Sequence, residues 1–409
     1  DDGTGSRLLR TAAIHACIDS KGGPMPSRQH PNIVWFVTDH QAYMHHCALG
    51  GPRPRMPAFE RLAREGMRFI WAYSVHPICS PARASMLTGL YPHRHGMTDN
   101  DGYDGARLDF EPGCRLISHY LRQAGYRCGY FGKWHCGEER TALDYGFEGY
   151  SPPGYGYPYN TEAYRGYLRE NKLPNPVVCV EWSPHNAGRE GQCFDLCREP
   201  GWFDKGGGSA LLLSSLETHE AFFVSHLAGR WIEECANAGE AFFVRVDPWG
   251  PHPPYVVATP FAGSVDAAAI PLYPNFDSDL AHRPQHHREY LRAWQGRVRF
   301  DWAGWQRQLA RCYEHIDLVD AALGRILDLL DGCGVADNTV VLYTADHGDA
   351  LASNGGIANK GALMVEETMR VPLAVRWPRG QRGECRKLVS NMDLAATVLD
   401  LAGAQAPPL

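Results

Sequence analysis

The string Cys79-Ser80-Pro81-Ala82-Arg83 sets a thiol just ahead of a predicted helix and an arginine one turn into it. A helix start carries partial positive charge, so an anion held at Cys79 would meet both that dipole and the Arg83 guanidinium. By itself Cys79 is as well read as an inert buried thiol. A C-x-P-x-R string also arises by chance in a chain of this size with odds on the order of a few per cent. A second set looks metal-binding: Asp39 closes one apolar run, and Asp346-His347-Gly348-Asp349 closes another. Carboxylate oxygens with one imidazole suit Ca²⁺, Mg²⁺ or Mn²⁺ better than a structural zinc. The third set is cationic: Lys133-Trp134-His135, Pro251-His252-Pro253 and Asn359-Lys360-Gly361. Lysines can neutralise the oxygens of an anionic ester and a histidine can protonate its leaving oxygen. Each of these residues alone is better read as a surface lysine or a solvated histidine.

The elements that must position them follow from periodicity. Asn32 to Thr38 is apolar, β-branched and aromatic, as in a strand buried on both faces of a parallel sheet, and Asp39 sits at its carboxyl end. Next come a helix at Pro57 to Glu65, a strand at Met67 to Ala72 and a helix starting just after Pro81, with proline at an early helical position. The alternation continues with a helix at Leu116 to Ala124 and strands at Tyr126 to Gly132 and Ala241 to Asp247. A long helix at Leu309 to Leu330, a strand at Thr339 to Ala345 and a helix at Asp393 to Ala402 complete it. This pattern predicts an α/β fold with a central, mostly parallel sheet and helices on both faces. Ligands in such folds sit beyond the strand carboxyl ends. Tyr150 to Gly208 and Asn275 to Trp305 read as irregular excursions over the sheet edge, where specificity is often carried. The aromatic stretch Tyr150 to Tyr167 could stack on a sugar or aryl ring, or simply pack. Glu314, Asp317 and Asp320 read as a solvated helix face.

Composition narrows the class. With 409 residues, 44% hydrophobic and 21% charged, the chain is globular rather than disordered, and it lacks the apolar run of about 18 residues that spans a bilayer. A net charge of −6 argues against a nucleic-acid partner. The 13 cysteines are odd in number and form no C-x-x-C pairs, which suggests reduced thiols and a cytoplasmic setting. Residues 1–30 show neither a secretory pattern nor a clean amphipathic period; we read them as a disordered leader or remnant, with 31–409 the catalytic domain.

Extended through Met86-Leu87-Thr88-Gly89, the Cys79 string closely resembles the signature of the sulfatase family. Met56-Pro57, Phe59, Arg61-Leu62-Ala63 and Met369-Arg370-Val371-Pro372-Leu373 resemble its structural landmarks. The resemblance runs in motif order from Pro31 to Leu401. It implies an alkaline-phosphatase-like sandwich and hydrolysis of a sulfate ester, on a small molecule or a carbohydrate, with no nucleic acid or membrane partner. It implies that a formylglycine-generating enzyme oxidises Cys79, reading the proline and arginine. One geminal hydroxyl of the hydrated aldehyde attacks sulfur and the other later expels sulfate, a release that serine could not make so easily. Asp39, residue 79, Asp346 and His347 would share one divalent ion, Ca²⁺ first, with Mn²⁺ or Mg²⁺ as alternatives. Lys133, His252 and Lys360 would bind the ester, His252 would be the acid, His135 would face residue 79, Arg83 would bond the nucleophile or the metal cluster, and Asn100 would line the pocket.

Two positions depart from the commoner family pattern, Asp39-His40 for Asp-Asp and Asp346-His347 for Asp-Asn. The second resembles the phosphonate monoester hydrolase and choline sulfatase branches, and either could move preference toward Mn²⁺. His40 is then a ligand or an ordinary supporting histidine. His45, His46, His93, His95, His286 and His287 are read as structural or rim residues. The C-terminal subdomain usual in the family reads as curtailed. Two other readings stay open: a phosphonate monoester or phosphodiester hydrolase, disfavoured by the presence of both Lys133 and His135, and a silent scaffold of the same fold, which a metal-binding assay would separate.

Overall fold

Asn32–Thr38 forms strand β1, buried along its whole length. Val34 and Phe36 enter one hydrophobic cluster and Ile33, Trp35 and Val37 another, because successive side chains of a strand face opposite sides of the sheet. The computed structural model describes residues 12–18, 30–43, 49–100, 102, 105–182, 188–199, 208–295, 300–361 and 363–405. His45, His46, Pro407-Pro408-Leu409 and most of 1–30 lie outside the described residues.

The remaining strands are β2 (Met67–Tyr73), β3 (Arg127–Gly132), β4 (Glu148–Tyr150), β5 (Val177–Trp182), β6 (Cys193–Asp195), β7 (Ser209–Leu212), β8 (Phe242–Asp247), β9 (Tyr255–Ala258), β10 (Thr339–Ala345), β11 (Leu373–Arg376) and β12 (Gly383–Ser390). The helices are α1 (Ala12–Ile18), α2 (Pro57–Glu65), α3 (Cys79–Thr88), α4 (Pro92–His95), α5 (Ile117–Gln123), α6 (Glu162–Glu170), α7 (Glu220–Ala238), α8 (Gln285–Gln295), α9 (Trp302–Gly332), α10 (Ser353–Gly356), α11 (Glu366–Met369) and α12 (Asp393–Leu401).

Eight strands make the main sheet in the order β12-β2-β11-β10-β1-β8-β3-β4. Every neighbouring pair is parallel except the two formed by β11, the one reversed strand. Side chains of α2, α7 and α9 share the cluster with Val34 and Phe36; those of α3, α5 and α12 share the other. The expected α/β architecture with helices on both faces is therefore present, and α2 and β10 have the expected bounds. Among the described residues no helix is long and apolar enough to cross a membrane.

Four expectations need correction. Residues 12–18, read as part of a disordered leader, form α1, whose Ile14, Cys17 and Ile18 are buried at the i, i+3, i+4 spacing and join the core that α12 helps build. The Tyr150 to Gly208 excursion supplies α6, β5 and β6, and β6-β5-β7-β9 is a second sheet whose apolar side chains enter the α7–α9 core. Its strands are short, so their period was hard to see. Asn275 to Trp305 contains α8.

Glu314, Asp317 and Asp320 are buried rather than solvated. Asp320 accepts the Ala58 and Phe59 amides at 2.8 Å each, and Asp317 accepts those of Arg55 and Met56 at 2.6 and 3.0 Å. They supply the start of α2 with the cap that Met56, in a left-handed conformation, cannot provide. Asp320→Ala strands two buried amides, and we expect a loss on the order of 2–4 kcal/mol in a urea titration; an unchanged midpoint would refute the cap.

Candidate active site

Parallel pairing collects the chemistry at one sheet edge. Thr38 pairs with Ala345, so Asp39 and Asp346 leave β1 and β10 side by side; Gly132 pairs with Asp247, so Lys133 emerges beside β8. Gly132 is required there: its φ is +119°, and a Cβ would lie 2.0 Å from the Asp247 carbonyl oxygen. Helix α3 begins at Cys79 itself rather than after Pro81, so the thiol stands in its first turn and Arg83 follows one turn later.

Single ligand atoms of Asp39, Cys79, Asp346 and His347 lie within 4.8 Å of one another, all four residues buried. Cys79 Sγ is 3.1 Å from His347 Nε2 and 3.7 Å from Asp39 Oδ1, and it accepts from Lys360 Nζ at 2.9 Å. Lys133 Nζ donates to Asp39 Oδ2 at 2.5 Å. Arg83, fully buried, donates through Nε to Asp346 Oδ2 at 2.8 Å and through Nη1 to Asp247 Oδ2 at 2.9 Å and the Lys133 carbonyl at 3.0 Å.

These neighbours set the protonation states. Burial would raise the Cys79 thiol, but Lys133, Lys360 and His347 outweigh it and hold it well below its ordinary value, so the group at this position is stabilised as an anion. Burial pushes Asp39 up to about 7 against the pull of Lys133. Burial acts on Asp346 too, yet His347 and Arg83 hold it below the usual carboxylate range. Two carboxylates, an imidazole and an anion-stabilising position 79 make a donor set that fits one divalent ion.

The other sequence-derived residues fall as follows. His135 is in a left-handed conformation, and burial with Lys133 nearby lowers it to about 4. Asn100 Oδ1 accepts the Ser80 amide at 2.9 Å, satisfying one donor of α3's first turn. His252 is half-buried, and its Nδ1–H donates to the Pro253 carbonyl at 2.6 Å, which leaves Nε2 as the nitrogen with a lone pair. Burial, Lys360 and Lys133 keep its imidazole well below the ordinary range. His40 stands outside the four-atom group: its Nε2 is 3.3 Å from Asp349 Oδ2, and its ring packs 4.9 Å from His347 and 4.7 Å from His252 between centroids. Of the residues set aside, His95 is structural, with Nε2 3.0 Å from Ser85 Oγ.

Residues 31–404 match the Sulfatase family. The chain belongs to the sulfatase family. This sulfatase is 28% identical over 380 residues to an uncharacterized sulfatase of Escherichia coli strain K12, covering 93% of this chain and 69% of that protein. It is 27% identical over 437 residues to an N-acetylglucosamine-6-O-sulfatase of Bacteroides thetaiotaomicron, covering 98% and 73%. Its fold is similar to that of the phosphonate monoester hydrolase of Agrobacterium radiobacter, with a TM-score of 0.69 at 20% identity over 92% of this chain and 74% of that one. The alkaline-phosphatase-like sandwich and the sulfuric ester hydrolase class read from the Cys79 string hold.

Two contributors to this sulfatase site were not singled out in the sequence. Asp247 accepts from Arg83, from Tyr130 Oη at 2.9 Å and from Arg245 Nε at 3.0 Å; its strand-end position, shared with Asp39 and Asp346, was the available signal. Tyr155 packs its ring 4.0 Å from Lys133 Nζ and beside His135 and His252, at centroid distances of 5.1 and 5.4 Å. Nothing in its Gly- and Pro-rich surroundings distinguished it from the neighbouring tyrosines.

Proposed function

We propose that this sulfatase cleaves its sulfate ester with residue 79 matured to formylglycine as nucleophile, beside one divalent ion held by Asp39, Asp346, His347 and residue 79. The observation that carries this reading is the gathering of those four residues within 4.8 Å, with Lys360 and Lys133 bonded to two of them. When bound, the ion polarises an ester oxygen, and the aldehyde hydrate supplies a hydroxyl group that attacks and a second that releases sulfate.

The chain's own residues do the rest. Lys133 and Lys360 neutralise ester oxygens in a site already shaped for negative charge. Arg83 holds Asp346 and Asp247 in place. His135 orients residue 79, and Asn100 steadies the turn that carries it. Burial, with Lys360 and Lys133 beside it, keeps His252 neutral at rest; the charge of a bound ester offsets the lysines, so the imidazole can take up a proton and deliver it from Nε2 to the leaving oxygen. His40, whose Nε2 is 3.3 Å from Asp349 Oδ2, is assigned no ligand role. Oxygen donors make Ca²⁺ our first assignment; the imidazole of His347 also suits Mn²⁺, and Mg²⁺ is the third choice.

We assign a small-molecule or carbohydrate sulfate as substrate, supported by the N-acetylglucosamine-6-O-sulfatase relative, and a formylglycine-generating enzyme as maturation partner, supported by the C-x-P-x-R string. The cysteine usage supports a reducing compartment, the cytoplasm; fractionation of the native host tests it. A second reading, phosphonate monoester or phosphodiester hydrolysis by the same groups, is favoured by His347 at 3.1 Å from Cys79 Sγ.

Matured protein given 4-nitrophenyl sulfate, glycosaminoglycan-derived sugar sulfates and phenyl phosphonate monoesters should prefer the sulfates. Chelation should lower that activity on the order of 10²-fold or more, restored by Ca²⁺ or Mn²⁺, because a Lewis acid supplies several kcal/mol of stabilisation. Full activity after exhaustive chelation would overturn the ion, and phosphonate preference would install the second reading.

A further inference from the structure

The turn that carries His252 is gripped by a carboxyl group with no cationic partner among the described residues. Glu220 opens α7 and is 3% exposed. Its Oε2 accepts the Trp249 amide at 3.1 Å and its Oε1 the Gly250 amide at 2.9 Å. His219 Nδ1 lies 4.0 Å from Oε1. Burial pushes Glu220 up to about 8 against the two amide bonds. A carboxyl group buried without a cation is costly, so what it holds in place matters.

It holds the turn whose next two carbonyls reach both sides of the site. The Gly250 carbonyl accepts the Asp39 amide at 3.1 Å, and the Trp249 carbonyl accepts the His252 amide at 3.2 Å. Helix α9 backs the same segment closely: a Cβ on Gly250 would lie 2.6 Å from Val319 Cγ2 and 2.8 Å from His315 Nε2. The backbone is thus pinned from α7 by hydrogen bonds and from α9 by packing, and it has no room to settle elsewhere. His219, Glu220 and His315 do bring ligand-type atoms within 4.8 Å of one another. Within that group His219 Nδ1 accepts the Ala221 amide at 3.2 Å, and each Glu220 oxygen accepts one amide of the turn.

We propose that Glu220 is a positioning residue for ester hydrolysis: by holding the Trp249 and Gly250 amides it sets His252 Nε2 at the leaving oxygen. The proposal rests on His252 as the acid. Misplacement of a reacting group by about 1 Å costs up to about 100-fold in rate, and the cost concentrates where protonation matters most.

The test uses matured, metal-loaded enzyme with two probes, phenyl sulfate, whose leaving group needs a proton, and 4-nitrophenyl sulfate, whose leaving group needs it least. Glu220→Gln keeps the shape but turns one acceptor into a donor facing an amide. It should lower kcat on phenyl sulfate by about 10- to 100-fold, lower kcat on 4-nitrophenyl sulfate only a few-fold (~2–5), and leave KM for both nearly unchanged. His252→Ala should show the same leaving-group pattern more strongly, and the double variant should be no slower than His252→Ala, since the two act through one group. Glu220→Asp, which keeps the carboxyl group but reaches only one amide, gives the same pattern in weaker form and serves if Glu220→Gln does not fold. Losses equal on both probes, or losses that multiply in the double variant, overturn the role of Glu220. If His252→Ala alone shows no leaving-group dependence, the assignment of His252 falls, and with it this proposal, before Glu220 is touched.

Discussion

Cys79→Ala is expected to lower kcat for sulfate ester hydrolysis on the order of 10⁴-fold or more, as removal of an activated nucleophile does elsewhere. The fold should persist, because the residue is small and lies in the first turn of α3 rather than between layers of the core. Its Sγ is surrounded by Lys360, His347 and Asp39, and a methyl group there offers nothing to any of them. Cys79→Ser is the sharper variant: its hydroxyl occupies the same place and can attack, but it carries no second hydroxyl to release sulfate. A single turnover followed by arrest, with one sulfo group on the peptide containing residue 79 by mass spectrometry, is the expected result. Wild-type turnover by either variant would remove residue 79 from the chemistry. In the unaltered chain the same mass spectrum, taken after co-expression with a formylglycine-generating enzyme, should show the aldehyde.

Arg83→Ala is expected to cost on the order of 3–5 kcal/mol of folding stability, the usual result of removing one partner from a buried charge network. Arg83 is completely buried and its guanidinium serves two carboxylates directly, Asp346 and Asp247, with Nη2 3.8 Å from Asp39. Without it, three buried acids lose the one guanidinium that faces them all. Arg83→Lys should recover little, because one ammonium group cannot make the separate Nε and Nη1 bonds to acids on two different strands. Urea titration of the cysteine-containing protein, made without a formylglycine-generating enzyme, is the measurement of choice, because a stability loss there cannot arise from a change at residue 79. Equal midpoints for Arg83→Ala and the parent would show that the network is dispensable.

Much of this site was legible in the linear chain for a simple reason. In a parallel sheet, residues that follow successive strands must meet at one edge, so Asp39, Lys133 and Asp346 could be brought together from strand periodicity alone. The string from Cys79 to Gly89 added the family, and family order placed His135, His252 and Lys360. The same rule applied to β8 would have reached Asp247, which the structure sets opposite Gly132. Glu220, Tyr155, Asp317 and Asp320 were out of reach, since nothing local marks a carboxylate that caps another helix or grips another turn. Arg83 and Asp247 are 164 residues apart, and Asp320 and the Ala58 amide 262.

By itself the sequence determined the architecture, the family and the inventory of acids, cations and thiol, because those depend on periodicity, strand ends and a contiguous motif. What needed the packed chain was that the His40 ring lies between Asp349, His347 and His252, that α1 is part of the core, and that the long α9 turns buried acids inward. Those outcomes depend on which surfaces exclude water together, and desolvation is a property of the packed chain, not of any segment of it.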